Sequence, residues 1–166
     1  MSRLRAAIGS AVFLVLAPGV VAGLVPWALT GWRSAGSPAW LEALGVALIV
    51  TGAGVLLHAF LRFVTEGSGT PAPVVPTETL VVGGLYRHVR NPMYLAVAAT
   101  IVGQALMLGR PWLLAYAAVF LATVAAFVRW YEEPTLRSRY GSSYEDYVSN
   151  VPGWWPRRRP WRPAAR

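Results

Sequence analysis

Two adjacent carboxylates, Glu132 and Glu133, follow a long apolar run. Such a pair is costly to bury unless a cation answers it. It is therefore a candidate cation site, or else an interfacial pair balanced by Arg129, Arg137 or lipid. A second group, Asn91-Pro92-Met93-Tyr94, stands at the start of another apolar run. Asn is a favoured helix N-cap and Pro a favoured first helical residue. A helix that starts there presents free N–H groups, which suit an anion such as a carboxylate, although a capped helix needs no ligand. A third group, Gly67-Ser68-Gly69, allows close backbone approach to a ligand or simply begins a linker. A fourth, His58, Arg62 and Glu66, repeats every four residues and so shares one helix face. Arg62 can pair with Glu66 or reach the interface. His58 lies deeper, as a structural or a functional histidine.

The elements that must hold these groups are apolar helices. Crossing a bilayer takes about 20 apolar residues. Four candidates run from about Ile8 to Leu29, Trp40 to Phe63, Pro92 to Leu108 and Trp112 to Tyr131. Pro18 and Pro26 should kink the first. The third is short, and the turn Gly109-Arg110-Pro111 makes a hairpin of the third and fourth. The segment from Gly67 to Arg90 is turn-like, with a short apolar stretch at Thr79–Val82. In the polar, aromatic tail from Glu132 onward, Tyr140, Tyr144 and Tyr147 fall on one face of a helix. Residues 1–64 then carry two spans and 65–156 the chemistry-bearing half. Residues 157–166 form an Arg/Pro-rich tail, of which only the last few residues are expected to be disordered. The whole is expected to be a single all-α membrane domain.

Composition supports this. Of the 166 residues, 55% are hydrophobic and only 13% charged, against about 25% charged in soluble domains. Eight Trp and seven Tyr suit two membrane–water interfaces. The net charge of +8 comes from arginines beside apolar runs, which points to anionic lipid headgroups rather than nucleic acid. Arg3 and Arg5, Arg62, Arg87 and Arg90, and then Arg129, Arg137, Arg139 and Arg157–Arg159 fall on one side of a four-span topology; Arg33 and Arg110 fall on the other. Positive loops stay inside, so both termini should be cytoplasmic. With no Cys, disulfides, thiolate nucleophiles and cysteine metal sites are excluded, and no metal site is expected.

The helix start at Asn91 and the paired glutamates fall at the same interface, at the two ends of one hairpin. A ligand with a carboxylate and an ammonium or sulfonium would match both, and S-adenosylmethionine carries all three groups. The residues that carry these features also resemble a known superfamily. Gly84-Leu85-Tyr86, Arg90-Asn91-Pro92-Met93-Tyr94, Tyr131-Glu132-Glu133-Pro134-Thr135-Leu136, Tyr140-Gly141, Tyr144, Tyr147 and Val151-Pro152 look like the isoprenylcysteine carboxyl methyltransferases and phospholipid methyltransferases. The resemblance covers about Gly67 to Pro156. It implies that Leu80, Val81, Tyr86, Asn91, Pro92, Met93 and Tyr94 line an S-adenosylmethionine site, that Glu132 and Glu133 bind the cofactor from the other end, and that Gly67 and Gly69 contribute a glycine motif. Where the carboxyl methyltransferases usually show Arg-His-Pro, this chain has Arg-Asn-Pro, closer to the phospholipid enzymes. Arg129 stands near their substrate-contacting arginine and is carried over as the catalytic candidate.

The resemblance therefore implies a methyltransferase acting on a membrane-embedded, lipid-like or apolar acceptor, by carboxylate O-methylation or amine N-methylation. Sterol reductases that use a nicotinamide cofactor share a similar C-terminal pattern, and a non-catalytic membrane binding protein is a third reading.

Overall fold

The computed structural model describes residues 11–66 and 79–162. Among them it is all helical, as expected; Thr79–Val82 is irregular rather than a strand. Three stretches are long and apolar enough to cross a bilayer: Ala11–Thr30, Ala39–Phe63 and Trp112–Tyr140. The third of the four expected spans is helix α3, Pro92–Met107, whose 16 residues reach about 24 Å against a hydrocarbon core of about 30 Å. Four crossings thus become three full-length helices and one short apolar helix.

The first span is wound as a π-helix over Val15–Leu24 and continues as α1, Val25–Thr30. Pro18 lies inside the π-helical stretch and Pro26 in the first turn of α1. The second span, α2, is Ala39–Glu66. After α3, helix α4 covers Trp112–Phe127, a π-helical turn covers Val128–Glu132, and α5 covers Glu133–Tyr140. The fourth span was expected to end at Tyr131. Instead the helix runs on through both glutamates. Pro134 brings no N–H for the carbonyl four residues back, and the backbone accommodates it by widening, with Glu133 N–H bonded to Val128 O. The tyrosine face is also corrected. Gly141, at φ 52 and ψ −130, separates α5 from α6, Ser142–Asn150. Tyr144 and Tyr147 therefore sit on a helix distinct from that of Tyr140.

The described residues divide into two compact units. One holds residues 14–57 and 93–125. Here α2 and α3 approach closely through glycines. A β-carbon on Gly45 would strike Gly103 O and Met107, and one on Gly52 would strike Ala96 O and Thr100. Small residues are the usual means of bringing apolar helices together where burial from water offers no drive. Pro26 removes the donor that an α-turn would give Ala22 O and a π-turn Val21 O. Both carbonyls are met from neighbouring helices, by Gln104 Nε2 at 2.6 Å and Tyr116 OH at 2.9 Å. This is how a proline is tolerated in a bilayer span. The loops carrying Arg33 and Arg110, assigned to one face, meet here. Ala35 N donates to Leu108 O at 2.8 Å, and Arg110 Nη2 to Arg33 O at 3.3 Å.

The other unit holds residues 11–13, 58–66, 79–92 and 126–162. Its core is Tyr144, Tyr147 and Val151, packed by Leu80, Val82, Leu136, Tyr140 and Trp161. Most of the described candidate residues belong to this unit.

Candidate functional site

The C-terminal end of α2 builds one wall. Arg62 Nη1 pairs with Glu66 Oε1 at 2.6 Å, and Glu66 Oε2 accepts the N–H of Gly83 at 3.0 Å. Thr79 Oγ1 donates to Glu66 O at 3.1 Å. The three residues expected on one helix face thus meet the turn Gly83-Gly84. Gly84 has φ +57, and a β-carbon there would fall on His58 Nε2 and Arg62 Nε. The turn therefore needs glycine for both its backbone and its space. It opens a single 3₁₀ turn, Gly84–Arg87, that delivers Tyr86 to the interior. Tyr86 stacks edge-on against Phe63 at 5.6 Å, and its carbonyl accepts Tyr147 OH at 2.7 Å.

Arg90 and Glu133 form the centre. Arg90 Nη1 lies 2.7 Å from Glu133 Oε1, with side-chain exposures of 16% and 12%. Tyr144 OH accepts from the same Nη1 at a long 3.5 Å. Arg129 reaches Glu133 Oε2 at 3.8 Å, but its side chain is 72% exposed. Burial raises the Tyr144 phenol above its ordinary 10.0; Arg90 pulls it down and Glu133 pushes it up. Burial likewise raises Tyr147. Arg90 Nε is buried with no hydrogen-bond partner. Arg90 was not singled out as a site residue, although it heads the Arg90-Asn91-Pro92 motif. Its importance comes from a partner 43 residues away, which no local pattern reveals.

The C-terminal segment closes the arrangement. Arg90 N donates to Pro152 O at 3.0 Å, Arg157 N to His88 O at 2.9 Å, and Trp161 N to Arg87 O at 2.9 Å. Asn91 Nδ2 donates to Gly153 O at 3.1 Å. Backbone bonds to a distant segment thus hold residues 157–162; the last residues of the tail, 163–166, lie outside the described residues. His88 Nδ1 lies 2.9 Å from Arg157 O. A carbonyl only accepts, so Nδ1 carries the proton and Nε2 keeps its lone pair in the neutral ring.

Of the sequence candidates, Leu80, Val81, Tyr86, Asn91, Pro92, Arg129, Glu132 and Glu133 belong to this unit. Val81, Tyr86 and Asn91 are buried. Pro92 is also buried, and Leu80 and Glu132 are half-buried. Met93 and Tyr94, both half-buried, form the first turn of α3 and count with the other unit. Gly67 and Gly69 lie outside the described residues.

A ligand with one carboxylate and a cationic centre fits this donor set. Arg90 Nε is an orphaned cationic donor for a carboxylate, and Glu132 stands in the π-helical turn beside the Arg90–Glu133 pair. Among the described residues no cluster could hold a metal ion.

The sequence profile described as phospholipid methyltransferase matches residues 40–143. That span contains Gly83-Gly84, Arg90–Tyr94 and Glu132-Glu133. No curated protein and no solved structure matches the chain.

Proposed function

The chain belongs to the phospholipid methyltransferase family, a family of membrane methyltransferases, and from that membership we propose that it moves a methyl group from S-adenosylmethionine to a lipid-like acceptor within the bilayer. The match over residues 40–143 carries the proposal. When bound, the cofactor supplies an electrophilic methyl on a sulfonium. The protein's part is to hold both reactants in line and exclude water.

Arg90 Nε, Asn91 and the start of α3 would hold the cofactor carboxylate; Glu132 would answer its cationic end. Leu80, Val81, Tyr86, Pro92, Met93 and Tyr94 would line it, with Gly67 and Gly69 joining from outside the described residues. Glu133 is already engaged by two guanidinium groups, so its part would be to fix Arg90. Arg129, mostly exposed, is free to swing and would orient an anionic acceptor head by a charge-assisted hydrogen bond. An amine acceptor must shed a proton, and His88 Nε2 has the lone pair to take it. The acceptor's apolar tail would contribute about 0.8 kcal/mol per buried methylene, enough to position a head group without many polar contacts. The arginine-rich side would face the cytoplasm of the cell membrane.

The test is ligand protection in detergent, followed by transfer. S-adenosylhomocysteine at 100-fold its dissociation constant should stabilise the protein by about 2.7 kcal/mol, and a reduced nicotinamide cofactor should not. Labelled methyl groups should then enter a total lipid extract. Protection by the nicotinamide alone would overturn the proposal in favour of reductase chemistry.

A further inference from the structure

The four-arginine end of the chain is not used by the methyl-transfer reading, and it is more structured than its composition suggests. Residues 151–162 contain Arg157, Arg158, Arg159 and Arg162, with Trp154, Trp155 and Trp161, and no acidic residue. The segment is not helical. It carries prolines 152, 156 and 160, and its backbone groups bond to another segment of the chain. Besides the backbone pairs to residues 87, 88 and 90, Arg87 Nε donates to Trp161 O at 2.6 Å, and Arg157 Nη1 to Asn150 O at 2.6 Å. This strap is thus fixed on the segment Arg87–Asn91.

Its outward face is of a different kind. Trp155 is 80% exposed, and Arg158, Arg159 and Arg162 are exposed. Arg157 spends its guanidinium on Asn150; no ion pair engages the other three arginines among the described residues. In the same unit Trp130 is 79% exposed beside Arg129, at the end of the apolar run of α4. Exposed tryptophans next to arginines are the residues of a membrane–water interface. The acids nearest in sequence, Glu145 and Asp146, lie on α6, where Asp146 accepts from Asn150 Nδ2.

We propose that residues 151–162 form a docking surface for anionic lipid headgroups. Arg158, Arg159 and Arg162 meet the phosphates, and Trp155 enters the headgroup layer. Charge complementarity selects this occupant, since a strap with three uncompensated guanidinium groups gains about fivefold in binding per arginine at an anionic surface. Because the other face of the strap bonds Arg90 N and the Asn91 side chain, docking also steadies that segment. The inference does not rest on methyl transfer.

Hydrogen exchange tests it on the full chain in nanodiscs of phosphatidylcholine alone and of phosphatidylcholine doped with phosphatidylglycerol. The amides of Arg157 and Trp161 report the strap, and those of α2 and α4 serve as internal controls. Anionic lipid is expected to slow exchange of the strap by about tenfold or more, and high salt to reverse the effect. In Arg158→Gln/Arg159→Gln most of the slowing should be lost, since each arginine removed weakens binding to the anionic surface about fivefold, with α2 and α4 unchanged. These side chains are exposed, so the variant keeps its fold. Equal exchange in the two bilayers would overturn the proposal, as would an undiminished response in the variant. Slowing by dissolved inorganic phosphate in neutral nanodiscs to the same extent would also overturn it, by reducing the surface to a phosphate site.

Discussion

Removing Arg90 should destabilise the unit that carries the candidate site more than any other single charge change. Its guanidinium and the Glu133 carboxylate are 2.7 Å apart with exposures of 16% and 12%, so water screens the pair little. Taking one partner from such a pair costs about 3–5 kcal/mol, because the other charge stays buried. Arg129 offers partial relief at 3.8 Å, worth at most about 1 kcal/mol for so exposed a group. Arg90→Gln is therefore expected to cost about 3 kcal/mol, and Glu133→Gln a similar amount. In the double variant no charge is stranded, and two amides can bond each other. The two costs should then fall short of additivity by about 2 kcal/mol. Unfolding in mixed micelles of rising dodecyl sulfate content, followed by tryptophan fluorescence, measures all four corners of the cycle. Additivity within about 0.5 kcal/mol would show that the two side chains do not act as a pair and would refute the reasoning.

Tyr147→Phe leaves the Tyr86 carbonyl without its donor and should cost about 1–3 kcal/mol. Burial raises the Tyr147 pKa above its unfolded value, so the phenol's contribution is complete below pH ~10 and is lost as pH rises through the folded pKa; alkaline titration of stability should be shallower in the variant. Gln104→Leu strands Ala22 O beside Pro26 and should cost about 0.6–2 kcal/mol, read by the same micelle titration; an unchanged midpoint would mean that the carbonyl finds another donor. Glu132→Gln should weaken S-adenosylhomocysteine binding by about 2–4 kcal/mol, as truncated buried charge contacts do; unchanged affinity by calorimetry would remove Glu132 from the site.

Features that depend on neighbours in sequence were readable. The bounds of the second helix agree within a few residues, because an apolar run between Pro38 and the Gly67-Ser68-Gly69 segment admits little else. The hairpin turn was readable because Gly109, at φ +61, and Pro111 punctuate it. The stripe His58, Arg62, Glu66 was readable from its spacing, although the turn it meets, Gly83-Gly84, was not. Features that depend on distant partners were hidden. The seating of the strap was hidden because Pro and Arg give no periodicity, and its order comes from groups 69 and 74 residues away. The helix through Pro134 was hidden because a proline ordinarily ends an α-helix, and a π-turn avoids the clash without leaving a local signature. Gln104 stands as a lone amide in an apolar run, with nothing local to mark it. Its purpose is set by Pro26, on a different span.

The glutamate pair shows how the distant contacts change the chemistry read from the local ones. Adjacent residues on a helix point about 100° apart, so Glu132 and Glu133 cannot both face one small cation. Glu133 faces Arg90, and together they are neutral. A neutral pair adds no net attraction for a sulfonium or an ammonium; what it adds is position, by holding the Arg90 side chain so that Nε remains buried and unpartnered. On the proposed function, the cation-binding role that the sequence spread over two carboxylates would rest on Glu132, and the anion-binding role would pass from the start of α3 alone to that helix start together with Arg90. S-adenosylmethionine carries two positive groups and one negative. On the proposed function, Glu132 would answer the net positive charge of the cofactor beside a neutral Arg90–Glu133 pair. Substituting Glu132 should therefore change ligand affinity, and substituting Glu133 should change folding first.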